Sequence, residues 1–206
     1  MENTNPIYES PSLLPDGTEV ILASASPRRR ELLSDMGFTF SVIPADCDET
    51  VEDGTLPVDA VRILSERKAR AVAEMHKDAL VIASDTLVAL FDRPLGKPKD
   101  EDDAFRMLCE MSGKKHFVHT GVAVIYKGKM LSDVDTTAVQ FCRYTPTEAW
   151  TYVLTGEPMD KAGAYGIQGL GRALVEKREG NLDTVIGFPT LLCDRLLMQL
   201  FTETAE

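Results

Sequence analysis

Apolar residues along this chain follow two rhythms, and the switches between them mark out the elements. "EVILASA" (19–25) is a short apolar run with β-branched residues closed by small ones, which predicts a buried strand. Ser26 and Pro27 then supply an N-cap and a first helical position, so a helix is expected through Leu32, Leu33 and Met36 to Gly37. "FTFSVI" (38–43) alternates as a second strand and leads into the acidic loop "ADCDETVEDGT". A long helix follows from about Pro57 to His76, with Val61, Leu64, Val72 and Met75 on one stripe. "ALVIASDTLVAL" (79–90) is the longest apolar strand, and "FDRPLGKPKD" is rich in turn residues. Asp100 or Glu101 opens a helix with Ala104, Met107, Leu108 and Met111 on one face. Two alternating strands, about 115–126 and 129–143, flank the turn "KGK". Thr145-Pro146-Thr147-Glu148 starts a helix through Trp150 and Val153, and a stretch with five glycines (156–171) comes next. "ALVEKREG" and "DTVIG" read as short strands, and "FPTLLCDRLLMQLF" as a closing amphipathic helix.

Helices and strands mix here without strict alternation, so the expected class is α/β with a mixed sheet. Residues 1–17 are polar and read as a loose extension ahead of one domain over 18–206. They lack the basic segment of a secretory signal, and no apolar run approaches the roughly 18 residues of a membrane span. A net charge of −11 argues against a nucleic-acid surface, which would need a basic face. Cys47, Cys109, Cys142 and Cys193 are widely spaced with no C-x-x-C pair, which points to a reduced, cytoplasmic setting rather than zinc or disulfides. His116 and His119 lie in an alternating strand and point to opposite faces, so they do not make a metal pair.

Three places break the local pattern, and such breaks concentrate at functional sites. In "ASASPRRREL" three arginines crowd a helix N-terminus that is already positive. Ser24, Ser26, Arg28 and Arg29 there would suit phosphate oxygens; the bland alternative is a solvated arginine run behind a serine cap. Arg30 is expected to face solvent. Lys68 falls in the middle of the apolar stripe of the long helix, so its amine either snorkels out or meets an anion. Asp85 interrupts an apolar strand and needs a partner. It could hold loop amides, act as a general base or bind metal at a strand end. Thr86 alternates to the other face unless the strand bends.

Weaker signals accompany these. The loop carrying Asp46, Asp48, Glu49, Glu52 and Asp53 offers hard oxygens that suit Mg²⁺, although acidic loops are usually just solvated. Lys97 sits in the rigid turn "GKP". "GEPMDKAGAYGIQGLG" is neither a Walker loop nor a dinucleotide fingerprint. It is a flexible loop, or else a base-reading one in which Asp160, Lys161, Tyr165 and Gln168 stand between glycines that permit close approach. Many cations, one inward carboxylate and no Ser-His or Cys-His arrangement fit phosphate-ester chemistry with water as nucleophile.

The pieces "LASASPRRREL", "ADCDET", "ERKARAVA", "IASDTLV", "LGKPKDEDDAFRML", "SGKKHFVHTGVAV", "GEPMDKAGAYGIQGLG" and "VIGFPT" together resemble the Maf family of nucleoside triphosphate pyrophosphatases over residues 20 to 200. The resemblance implies an elongated mixed sheet flanked by helices, with two lobes around a central cleft, related to inosine triphosphate pyrophosphatases. It implies hydrolysis of a nucleoside triphosphate to monophosphate and pyrophosphate, with Asp85 as base and Glu49 with Asp85 holding Mg²⁺ or another divalent ion such as Mn²⁺. Ser24, Arg28, Arg29, Lys68 and Lys97 become phosphate contacts, and Asp160 and Lys161 possible substrate-loop residues. Arg28, Thr86 and Gln168 match the subgroup acting on dTTP and UTP, with modified pyrimidines among the inferred substrates and pool sanitation as the role. "SDT" stands here where "ADT" is commoner. A homodimer is expected by resemblance. The competing expectations are a nucleotide-binding regulator of septum formation and cell division without turnover, and a broad inosine or xanthosine triphosphate pyrophosphatase.

Overall fold

The computed structural model describes residues 8–202. Among them, β1 (Val20–Leu22), α1 (Pro27–Asp35), β2 (Ser41–Val42), α2 (Pro57–Ala73) and β3 (Leu80–Leu90) come first. Next are β4 (Arg93–Leu95), α3 (Glu101–Met111), β5 (Lys115–Tyr126), β6 (Lys129–Phe141) and α4 (Pro146–Val153). Short 3-10 turns then lead to β7 (Val175–Glu179), α5 (Leu182–Ile186) and α6 (Thr190–Thr202). The expected class holds: one mixed seven-stranded sheet in the order β2-β1-β3-β5-β6-β7, with β4 added on β3.

β3 organises the sheet. β5 covers one edge of it from Val81 to Ala89, antiparallel. On the other edge, β1 pairs in parallel with Leu80 to Ile82, and β4 pairs antiparallel with Val88 to Leu90. Between those two partners, no strand among the described residues lies beside residues 83 to 87 on that edge. Asp85 and Thr86 lie in that gap.

The period of two sorts the core. Val81 and Ala83 face α2 together with Ile21, Ala23, Ala69, Val72 and Ala123. Leu80 and Ile82 face the opposite way, against Leu33 of α1 and Leu196 and Leu197 of α6. Farther along, Val88, Leu90, Val118 and Phe141 pack against Met107, Leu108 and Met111 of α3 and Val153 of α4. β3, β5 and β6 therefore thread two packed regions, and a cavity of about 320 Å³ opens where they meet.

The helix stops and starts follow their caps. Ser26 accepts from the Arg29 amide at the start of α1, Asp100 accepts from Asp103 at the start of α3, and Thr145 with Glu148 forms a capping box. Lys127 and Gly128 both have positive φ, as a tight hairpin between β5 and β6 requires.

Several expectations change. "DTVIG" is helical: α5 runs over Leu182–Ile186 and ends at Gly187, whose φ of 117° is a left-handed stop. Two adjacent apolar residues cannot tell a strand from one helical turn. "FDRPL" hides β4, an edge strand that tolerates Pro94 because no strand among the described residues lies beyond it to need that N–H. Of 38–43 only Ser41 and Val42 pair. α2 ends at Ala73, so Met75 leaves the stripe and is 73% exposed. The extension expected over 1–17 lies outside the described residues up to Ile7. From Tyr8 onward it is docked: the Tyr8 hydroxyl donates to Thr190, and the Ser10 amide to Asp194 of α6. His116 and His119 do point apart. His116 is buried against Phe141 and Tyr165, while His119 bonds Thr136.

Gly121 sets the height of α2 above the sheet. It pairs with Asp85 on the face toward α2, and a Cβ there would lie 2.4 Å from the Val61 carbonyl oxygen and 2.9 Å from Ser65 Oγ. The missing side chain lets the helix backbone settle directly onto β5.

Two predictions follow from this packing. Gly121→Ala must push α2 outward, an overpacking cost of about 1–3 kcal/mol. A fall in melting temperature of roughly 3–10 °C is expected by calorimetry. His116 concerns pH. Burial holds its pKa down, from 6.5 to about 4. Its contribution is thus present above pH 6.5 and is lost as pH falls through 4, on the order of 3 kcal/mol. His116→Gln should flatten the loss of melting temperature between those values.

Candidate functional site

The site begins with the gap on β3. Between β1 and α1 the chain turns at Ala23 to Ser26, which brings the first turn of α1 to the uncovered edge. Arg29 reaches into it. Its Nη1 donates to the Ser84 carbonyl at 2.6 Å and to Ser24 Oγ at 3.3 Å, its Nε to the Gly187 carbonyl at 2.9 Å, and its Nη2 to Thr86 Oγ1 at 3.2 Å. Among the described residues, four of the five guanidinium N–H groups are thereby engaged, which leaves one for a ligand. Burial pushes the Arg29 pKa down from its ordinary value, with Asp85 opposing and Arg28 adding to the fall. Arg29 is first a structural tie, which the run of arginines alone did not reveal. Ser24 Oγ also accepts from the Ser26 amide. Arg30 is exposed, as expected.

On the α2 face, Asp85 and Lys68 form a close pair. The Lys68 ammonium is 2.6 Å from Asp85 Oδ1 and 3.0 Å from Glu49 Oε2, and the Lys68 and Asp85 side chains are only 13% and 10% exposed. The lysine that broke the stripe is thus answered by the aspartate that broke the strand. Each offsets part of the cost of burying the other. Arg67, the preceding residue, donates to the Asp48 and Thr50 carbonyls. Adjacent cations on α2 therefore clip the acidic loop and carry Glu49 to Asp85. Asp46, Asp48, Glu52 and Asp53 do not join it. Among the described residues no group of three or more His, Cys, Asp or Glu side chains converges as a metal cage.

On the opposite face lies the cavity. It is lined by Arg28, Arg29 and Thr86, by Lys97, by the apolar Val88, Val118 and Ile186, and by the loop residues Asp160, Lys161 and Gln168. β3 stays regular, so Thr86 turns away from Asp85 and the bend considered from the sequence is absent. Arg28 reaches Asp160 at 3.4 Å, and Lys161 holds the same carboxylate at 2.6 Å. Burial alone would raise the Asp160 pKa, but the two cations bring it below its ordinary value.

The glycine-rich stretch is built rather than loose. Glu157 accepts from the Tyr152 hydroxyl and Gly171 amide on one oxygen and from the Leu170 amide on the other, at 2.8, 3.0 and 2.8 Å. Gly169 and Gly166 press on it: a Cβ would come within 2.4 and 3.1 Å of its carboxylate oxygens. Reading the sequence missed Glu157, because its partners lie 13 and 14 residues away. A carboxylate among five glycines was the only cue.

Residues 19–200 match the family described as Maf-like protein. The chain is 46% identical over 170 residues to a dTTP/UTP pyrophosphatase of Halalkalibacterium halodurans, covering 82% of this chain and 90% of that one. It is 46% identical to the dTTP/UTP pyrophosphatase of Aquifex aeolicus (88% and 95% covered) and 47% identical to that of Moorella thermoacetica (87% and 94% covered). Among solved structures, a nucleoside-triphosphatase, dITP/XTP pyrophosphatase, of Mycobacterium abscessus superposes at a TM-score of 0.45 with 14% identity, covering 91% of this chain and 98% of that one.

If Glu157 closes the loop, Glu157→Gln should loosen it locally. Losing one charged hydrogen bond at a cost of about 1.4 kcal/mol corresponds to roughly tenfold faster amide exchange at Leu170 and Gly171. Exchange in β3 and β5 should stay unchanged.

Proposed function

This chain belongs to the Maf family, and from that premise we propose that it hydrolyses dTTP, UTP and modified pyrimidine analogues to the monophosphate and pyrophosphate, in nucleotide-pool sanitation. One observation carries the reading furthest. Arg28, Thr86 and Gln168, drawn from three distant stretches, all line one cavity of nucleotide scale. The relatives named as dTTP/UTP pyrophosphatases support the same substrates.

The gap in the sheet suggests how one ligand uses both faces. A base in the cavity leaves its phosphates at the edge between β1 and β4, beside Ser24, Arg28 and Lys97 and within reach of Lys68. Arg29 contributes its one remaining N–H. Asp85 Oδ1 is held by Lys68, and Oδ2 takes no hydrogen bond among the described residues. Oδ2 is the oxygen assigned to water. It takes the proton as the water oxygen bonds to the α-phosphorus, the bond from that phosphorus to the bridging oxygen breaks, and pyrophosphate leaves. Lys68 compensates the negative charge gathered there.

The donor set fits a divalent ion. Glu49 and Asp85, from separate segments, aim carboxylate oxygens at one cation, the Lys68 ammonium, and hard oxygens suit Mg²⁺ or Mn²⁺. When bound by Glu49 and Asp85, such an ion would withdraw charge from the triphosphate. We also carry over a homodimer in the cytoplasm; free thiols at all four cysteines suit a reducing compartment.

A panel of nucleoside triphosphates with Mg²⁺, scored for pyrophosphate, tests the reading. Release from dTTP and UTP well above ITP, XTP and 7-methyl-GTP is expected, and Asp85→Asn should lower turnover about 10²- to 10⁴-fold. Near-wild-type turnover by Asp85→Asn would remove it as the base. Binding of dTTP without pyrophosphate release would favour the regulator of cell division.

A further inference from the structure

We infer that Thr120 is a positioning residue that sets base discrimination by taking the hydroxyl proton of Thr86. The inference rests on the proposed nucleotide reading and adds a residue to it.

Thr120 faces Thr86 across the β3–β5 pair and is fully buried, with 0% exposure. Its Oγ1 lies 2.8 Å from the Thr184 carbonyl oxygen and 3.0 Å from Thr86 Oγ1. The Thr184 carbonyl belongs to α5, only five residues long, whose last carbonyls have no amide of the same helix to meet. A carbonyl can only accept, so the single proton of Thr120 goes to Thr184. Toward Thr86, Thr120 is then an acceptor, and the proton between the two hydroxyls is Thr86's. From the other side Arg29 Nη2 donates to Thr86 at 3.2 Å, and a guanidinium has no lone pair to offer in return. The order Arg29 to Thr86 to Thr120 to Thr184 runs one way only.

The chemical consequence falls on the cavity wall. Thr86 lines the cavity with its proton spent and one lone pair left, so it accepts from a ligand and cannot donate to one. It is unsuited to a phosphate or carbonyl oxygen. It suits the N3–H of uracil or thymine, whereas the bare N3 of cytosine would set lone pair against lone pair. A site built to hydrogen-bond rejects the analogue that leaves its group unpaired. Remove the Thr120 hydroxyl and Thr86 is free to rotate and donate, so cytosine becomes acceptable.

The test measures kcat and KM for UTP and CTP, with melting curves, on wild type, Thr120→Val, Thr120→Ser, Thr86→Val and the double variant Thr86→Val/Thr120→Val. Thr120→Val should raise the UTP KM about tenfold with kcat within about threefold. The UTP-over-CTP ratio of kcat/KM should fall about tenfold, a change of about 1.4 kcal/mol, and Thr120→Ser should restore it. The double variant should discriminate no worse than Thr86→Val alone, since Thr120 acts through Thr86. If Thr120→Val does not fold, Thr120→Cys, a weak acceptor for the Thr86 proton and a weak donor to Thr184, should show the same fall. An unchanged ratio in the folded variant, a serine that fails to restore it, or additive losses in the double variant would overturn the inference. Wild type that releases no pyrophosphate from UTP sinks the nucleotide reading itself; wild type that prefers UTP while Thr120→Val keeps its ratio sinks only the role of Thr120.

Discussion

The Ser84 carbonyl sits where the sheet runs out of strand, and much of the site follows from how that oxygen is satisfied. β1 covers the start of β3 and β4 its end, leaving the middle of one edge open. An unpaired backbone oxygen in a buried place costs free energy comparable to a lost hydrogen bond. Arg29 removes that cost by entering from α1, and its other N–H groups gather Ser24, Thr86 and Gly187 around the same point. A cation so placed explains why a helix start tolerates an arginine run of unfavourable sign. The charge of Arg29 is spent on carbonyl and hydroxyl oxygens in the interior, while Arg28 turns to Asp160 and Arg30 to solvent.

The opposite face depends on a comparable compensation. Asp85 is tolerable inside an apolar strand because Lys68 lies 2.6 Å away, and Lys68 reaches it because α2 rests on a glycine. Close backbone approach, a buried ion pair and a clipped acidic loop are thus one arrangement. Buried pairs contribute little net stability compared with apolar substitutes. On the proposed reading, the pair is retained at an open edge for its chemistry.

The sequence carried most of the elements, because caps and periodicity are local. Ser26-Pro27, Asp100 and the box at Thr145 start their helices where they stand in the chain. Lys68 and Asp85 were legible as violations of two separate patterns, although nothing in either pattern said that each was the other's partner. What escaped depends on tertiary contact. β4 is a strand only because β3 offers it an edge, and α5 is a helix although its apolar pair suits either state. Glu157 organises amides 13 and 14 residues away. The use of Arg29 as a tie, rather than a free anion ligand, likewise depends on a gap that no linear pattern displays.

β3 also acts as a partition. Asp85 and Thr86 are neighbours in the chain, yet the strand's alternation turns one toward α2 and the other toward the cavity, with a backbone's thickness between them. Substitutions on the cavity side can therefore accumulate without disturbing the ion pair behind it. On the proposed reading, recognition of the nucleotide and the chemistry performed on it are separable traits, free to drift at different rates although they are encoded by adjacent codons.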